Sequence, residues 1–151
     1  MSGTPPVSTA VVDYKGAARR HLIDATRLLA NQRPANAGQL FGFSVECGLK
    51  ALLVATGEPS APDGGLPSTS AFRRHLPHLG TLIAAMSTLP DGRMANGFQA
   101  YMPSLAALQN WSIDHRYWRE SAMPLASLPN WELAAMEVDD MLDKATADGV
   151  L

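Results

Sequence analysis

Residues 34–57, PANAGQLFGFSVECGLKALLVATG, constrain this chain more than any other stretch. Proline at the head suits the first turn of a helix, where its missing N–H would have no partner. Glycine at the foot is a natural stop. Between them the apolar residues point in nearly every direction around the helix axis. Such a helix predicts a central, mostly buried element that other helices must cover, with Val45, Leu49 and Leu52 in the core. Gly38 and Gly42 each cost about 1 kcal/mol relative to alanine inside a helix. Close approach by a neighbouring helix is the expected compensation.

The flanking sequence supplies those neighbours. From Asp13, residues Tyr14, Ala18, Leu22, Ala25 and Leu29 recur at spacings of four and three, predicting an amphipathic first helix that ends near NQRP. Residues 57–74 are rich in Gly, Pro, Ser and Asp and predict a long, mobile loop. A short third helix is expected from HLPHL, with Pro77 in its first turn. A fourth stripe, Met94, Phe98, Tyr101, Leu105 and Leu108, is interrupted by Pro103. After MPLASLPN a last helix places Trp131, Ala134, Val138, Met141 and Ala145 on one side, with Lys144 in its last turn and Gly149 beyond. No segment alternates with a two-residue period. The expectation is an all-α chain: one antiparallel bundle of about five helices over residues 13–147, with tails at 1–12 and 148–151.

Composition narrows the function classes. The chain has 151 residues, 46% hydrophobic and 17% charged, with a net charge of −2, which excludes a disordered chain and any global pull toward nucleic acid or anionic membrane. A basic site must therefore be local. Cys47 has no partner for an intrachain disulfide, and the first residues lack a secretory pattern, so a cytoplasmic location is expected. The greasiest run, around residues 49–55, is short and carries Lys50, so no membrane span is expected.

Two groups of residues carry chemistry. On the central helix, Gln39, Phe43, Glu46 and Lys50 share one face, a polar strip on an apolar cylinder. Glu46 and Lys50 stand one turn apart in the favourable order. Such a strip is either a solvent edge or a sheltered pair that needs a further partner, for which Arg116 is the candidate. The second group is WSIDHRYWRE, with Trp111, Asp114, His115, Arg116, Tyr117, Trp118 and Arg119. It can stack on a base and hold a phosphate, or plug the end of the bundle while Asp114 pairs with an arginine. His75 and His78 lack further ligands at metal spacing, so no metal is expected, and His75 reads as helping to start the third helix. Cys47 reads as a small core residue. No glycine-rich phosphate loop is present, and no cofactor is expected.

Three elements, in this order, resemble a known family. FGFSVECGLKALL is similar to the second helix of one branch of the HEPN family (higher eukaryotes and prokaryotes nucleotide-binding), with Glu46, Leu49 and Lys50 in its E-x-x-L-K setting. RRHLPHLGTLI is similar to the His-containing start of its third helix, and WSIDHRY to its late Trp and Arg-Tyr element. The resemblance spans about residues 13–144. It implies a helical bundle that forms homodimers and a binding site built from Glu46, Lys50, Arg116, Tyr117, Trp111, Asp114 and His75. It also implies a nucleotide or RNA ligand, or a protein partner such as a nucleotidyltransferase-like antitoxin. Well-known members are metal-independent ribonucleases of toxin type, with an arginine followed four to six residues later by a histidine late in the bundle. This chain departs from them, because no histidine follows Arg116 or Arg119. Arg73 and His78 have that spacing at a different place. The expected function is thus a catalytically degenerate binding module. The alternatives are a ribonuclease using Arg116 with His115 or His75, and a structural dimer subunit.

Overall fold

The computed structural model describes residues 10–78 and 100–151. The chain is all-α. Among the described residues there are three α-helices, α1 (Tyr14–Ala30), α2 (Pro34–Ala55) and α3 (Leu128–Ala147), and no strand. Short 3-10 segments at Leu105–Asn110, Ile113–Tyr117, Glu120–Ala122 and Leu125–Ser127 lead into α3. Where the fourth stripe was expected to be helical, its described end is 3-10, and the rest of that stripe and most of the third helix lie outside the described residues.

Local sequence explains the helix ends. Asp13 caps α1 by accepting the Gly16 N–H at 2.9 Å. All three helices close with the same pair of bonds to their last-turn carbonyls, the Schellman arrangement. In α1 the Arg33 N–H reaches the Leu28 carbonyl at 2.8 Å, with Gln32 at φ 60°. In α2 the Glu58 N–H reaches Leu53 at 3.1 Å, with Gly57 at φ 116°. In α3 the Val150 N–H reaches Ala145 at 2.9 Å, with Gly149 at φ 75°. Residues 148–151 are therefore not a loose tail, and Val150 and Leu151 pack against the core. α3 begins at Leu128, three residues before Trp131, because Pro129 fits its first turn.

Contacts give the directions of the helices. The Ser44 hydroxyl donates to the Ala18 carbonyl at 2.7 Å, and the His21 and Phe43 rings lie 5.7 Å apart. Positions rise on α1 as they fall on α2, so the two are antiparallel. Gly38 lies against Trp131 and Leu128, whereas Gly48 lies against Val138 and Leu142. These positions rise together, so α2 and α3 run parallel. Simple antiparallel succession fails here because residues 56–127 intervene between the two helices.

α2 is the centre of the core. Phe41, Val45, Leu49, Leu52 and Leu53 are fully buried, as are Trp131, Val138 and Met141 on α3. By length and composition α2 could also cross a membrane, but 78% of the qualifying window is buried inside the fold. Leu49→Ala is expected to cost about 3 kcal/mol in urea unfolding, through lost transfer energy and the cavity left behind. A loss below about 1 kcal/mol would contradict Leu49's place in a close-packed core.

Gly38 and Gly42 of α2 receive aromatic side chains of this same chain. A Cβ at Gly42 would stand 1.9 Å from Trp111 Cε2, and one at Gly38 would stand 2.9 Å from Trp131 Cζ3. Trp111 Nε1 donates to the Gly38 carbonyl at 3.0 Å. Close approach is thus real, but its occupants are two indoles, only one of them on a helix. The long loop is also anchored rather than loose. Leu66, Phe72 and Leu76 are buried, the Val12 N–H donates to the Asp63 carbonyl at 2.8 Å, and the Leu66 N–H donates to the Tyr14 hydroxyl at 2.9 Å.

Candidate functional site

The polar strip on α2 is sheltered. Glu46 is 6% exposed and Lys50 8%. Lys50 Nζ stands 3.7 Å from Glu46 Oε2. A carboxylate buried this deeply needs more than one cation 3.7 Å away. The loop end delivers it: the Leu76 N–H donates to Oε1 at 3.1 Å, and His75 Nδ1 lies 3.0 Å from Oε1 and 3.1 Å from Oε2. Because an ionised carboxylate only accepts, Nδ1 carries the proton. The His75 side chain is otherwise 55% exposed. His75 therefore does not start a helix; it ties the loop to the middle of α2.

Arg116 takes no part in this cluster. It is exposed, and its guanidinium lies over the Tyr117 ring at 4.7 Å. The segment that carries it meets α2 near Gln39, whose side-chain amide donates to the Ile113 carbonyl at 3.4 Å. Gln39 lies two turns, about 10 Å along the axis, before Glu46. The single mixed-charge site expected from Glu46, Lys50 and Arg116 is thus two loci. Trp111 belongs to neither: it is buried in the Gly42 groove, edge-on to Phe43 at 5.7 Å. Asp114 is exposed, and its N–H is held by the Ser112 hydroxyl at 3.1 Å.

The second locus is an aromatic and basic shelf. Tyr117 is 75% exposed and Trp118 48%. Together with Arg119 and Ala122 they line an open hollow. His115 supports the shelf from beneath. It is buried, 4.6 Å from the Trp118 ring and 5.9 Å from Trp131, on which it stacks. Trp118 thus rests against the His115 ring, tilted by 55°, with about half of its surface open to solvent.

No family model matches the chain, and no curated protein or solved structure matches it.

Burial decides what the other titratable groups do. It pushes the Cys47 thiol up to about 11, with neighbouring Glu46 adding to the shift, so little thiolate forms at neutral pH. His115 is held below the usual histidine range by burial, partly offset by Asp114. His21 is lowered as well, first by burial and then by Arg20. A histidine with a lowered folded-state pKa favours the fold fully above its unfolded pKa, about 6.5. That stability is lost as pH falls below 6.5, because the unfolded chain takes up the proton first. The urea midpoint is expected to drop between about pH 7 and pH 5, and less steeply in His115→Leu. An unchanged slope in that variant would assign the effect to His21.

Asp139, Asp140 and Asp143 present carboxylate oxygens within 4.8 Å of one another on α3. Arg19 reaches into the group, 3.5 Å from Asp139 and bonded to Asp143. Burial raises the Asp139 carboxyl above its usual range, and Arg19 opposes the rise. This cluster clamps α1 to α3.

Proposed function

We infer that the chain is a HEPN-like module, built on a bundle of about five helices, that binds a nucleotide or single-stranded RNA without cleaving it. The observation that carries this reading is the exposed pair Tyr117 and Trp118 with Arg116 and Arg119 beside them. Exposed aromatic faces stack on unpaired bases of any identity, and guanidinium groups hold the phosphates. Trp118, already seated on His115, loses little freedom on binding, which favours affinity. Non-catalytic binding is supported by the placement of Arg116 and His75 at different loci and by the burial of His115 beside Arg116, since cleavage needs a cation and an accessible proton-transfer group on one phosphate. A homodimer and a nucleotidyltransferase-like partner belong to the same reading. Light scattering that finds only the 16.1 kDa chain mass at micromolar concentration would remove the homodimer.

The test is titration of labelled oligouridylate, a matched RNA duplex and AMP, followed by tryptophan fluorescence and anisotropy. Binding of the single strand should fall with salt, and should weaken at least about tenfold in the double variant Tyr117→Ala/Trp118→Ala. Absence of binding to all three would end the reading. Cleavage of the strand would replace it with the ribonuclease alternative.

A further inference from the structure

We propose that His75 is a phosphoryl-acceptor site, modified on Nε2 by a small acyl phosphate or a comparable high-energy phosphoryl donor. The buried Glu46 carboxylate grips Nδ1 at 3.0 and 3.1 Å while 55% of the side chain remains open to solvent. The proton is therefore fixed on Nδ1, and the lone pair is fixed on the nitrogen that Glu46 does not hold. Glu46 is itself locked by the Leu76 N–H at 3.1 Å and by Lys50 at 3.7 Å, so the ring is held in one orientation. Exposed Arg73 and Arg74 immediately precede it and suit a dianionic donor.

The step balances. The Nε2 lone pair attacks phosphorus, the bond from phosphorus to the acyl oxygen breaks, and a carboxylate leaves with that electron pair. The ring gains a positive charge. Glu46 neutralises it through the proton it shares with Nδ1, which no exposed histidine without a carboxylate partner can match.

The experiment incubates the full chain with acetyl phosphate and, separately, potassium phosphoramidate. Intact mass and peptide mapping then follow a phosphoryl group that is lost in acid and stable in base. One such group on His75 is expected. It should vanish in His75→Ala, whose side chain is largely exposed and whose fold can be checked by circular dichroism. It should form at least about tenfold more slowly in Glu46→Gln. His78 is the internal comparison, exposed and three residues away. Should Glu46→Gln fail to fold, the ratio of His75 to His78 labelling in the wild type decides alone. Equal labelling of the two, or none on His75, would overturn the proposal.

Discussion

Replacing Glu46 by alanine is expected to destabilise the fold by about 3–5 kcal/mol in urea unfolding at neutral pH. The substitution leaves the Lys50 ammonium, 8% exposed, without its counterion. It also strips the Leu76 N–H of its acceptor. Glu46→Gln should cost less, about 1–3 kcal/mol, because the amide oxygen can still accept from Leu76. Replacing the pair together, Glu46→Leu with Lys50→Met, should recover part of the loss, because two apolar side chains ask for no partners there. His75→Ala should cost only about 1 kcal/mol, since half of that contact is screened by solvent. Glu46→Gln and Arg116→Gln should be additive within about 0.5 kcal/mol, as expected of residues that share no partner. A Glu46→Ala loss below about 1 kcal/mol would mean that water reaches the cluster.

Gly42→Ala is expected to be comparably severe, about 3–5 kcal/mol, although it adds a single methyl group. That carbon would lie 1.9 Å from Trp111 Cε2 and 2.2 Å from Nε1, so the indole cannot stay. Its departure empties a fully buried site and breaks the bond to the Gly38 carbonyl, which is equivalent to truncating a core tryptophan. The companion change Gly38→Ala meets Trp131 only at 2.9 Å and should cost less, about 1–3 kcal/mol. Pairing Gly42→Ala with Trp111→Phe should return part of the loss. A freely tolerated Gly42→Ala would show that Trp111 does not lie in that groove.

How far the sequence could be read follows from which forces are local. Pro34, Gly57 and the all-round apolar pattern were enough for α2, because capping and burial of one helix depend on its own residues. The pairing of Glu46 with Lys50 was legible for the same reason. Its third partner, His75, was legible only through the resemblance, which put it in the same site. The residue pattern itself could not show it, because His75 lies 29 positions away, at the end of a loop with no periodicity to project it. Arg116 was preferred for its forked donor geometry, which says nothing about where the backbone takes it. The paired glycines at 38 and 42 announced a close contact but not its occupants. Two tryptophans with one N–H donor each, in a chain with three, were the available hint. The parallel course of α2 and α3 is set by how the chain returns through residues 56–127, and no helix-length pattern encodes that.

That parallel course has a consequence for synthesis. α1 and α2 join through three residues and assemble as a local pair, but the α2 surface that receives Trp111, Trp131 and Val138 waits for partners encoded more than fifty residues later. At roughly 5–20 residues per second, about 4–15 s separate Ala55 from Trp131 at the ribosome. During that interval the most apolar of the described helices has one side uncovered. Nascent chains stalled between these points should therefore bind holdase chaperones strongly, and release them once α3 has emerged.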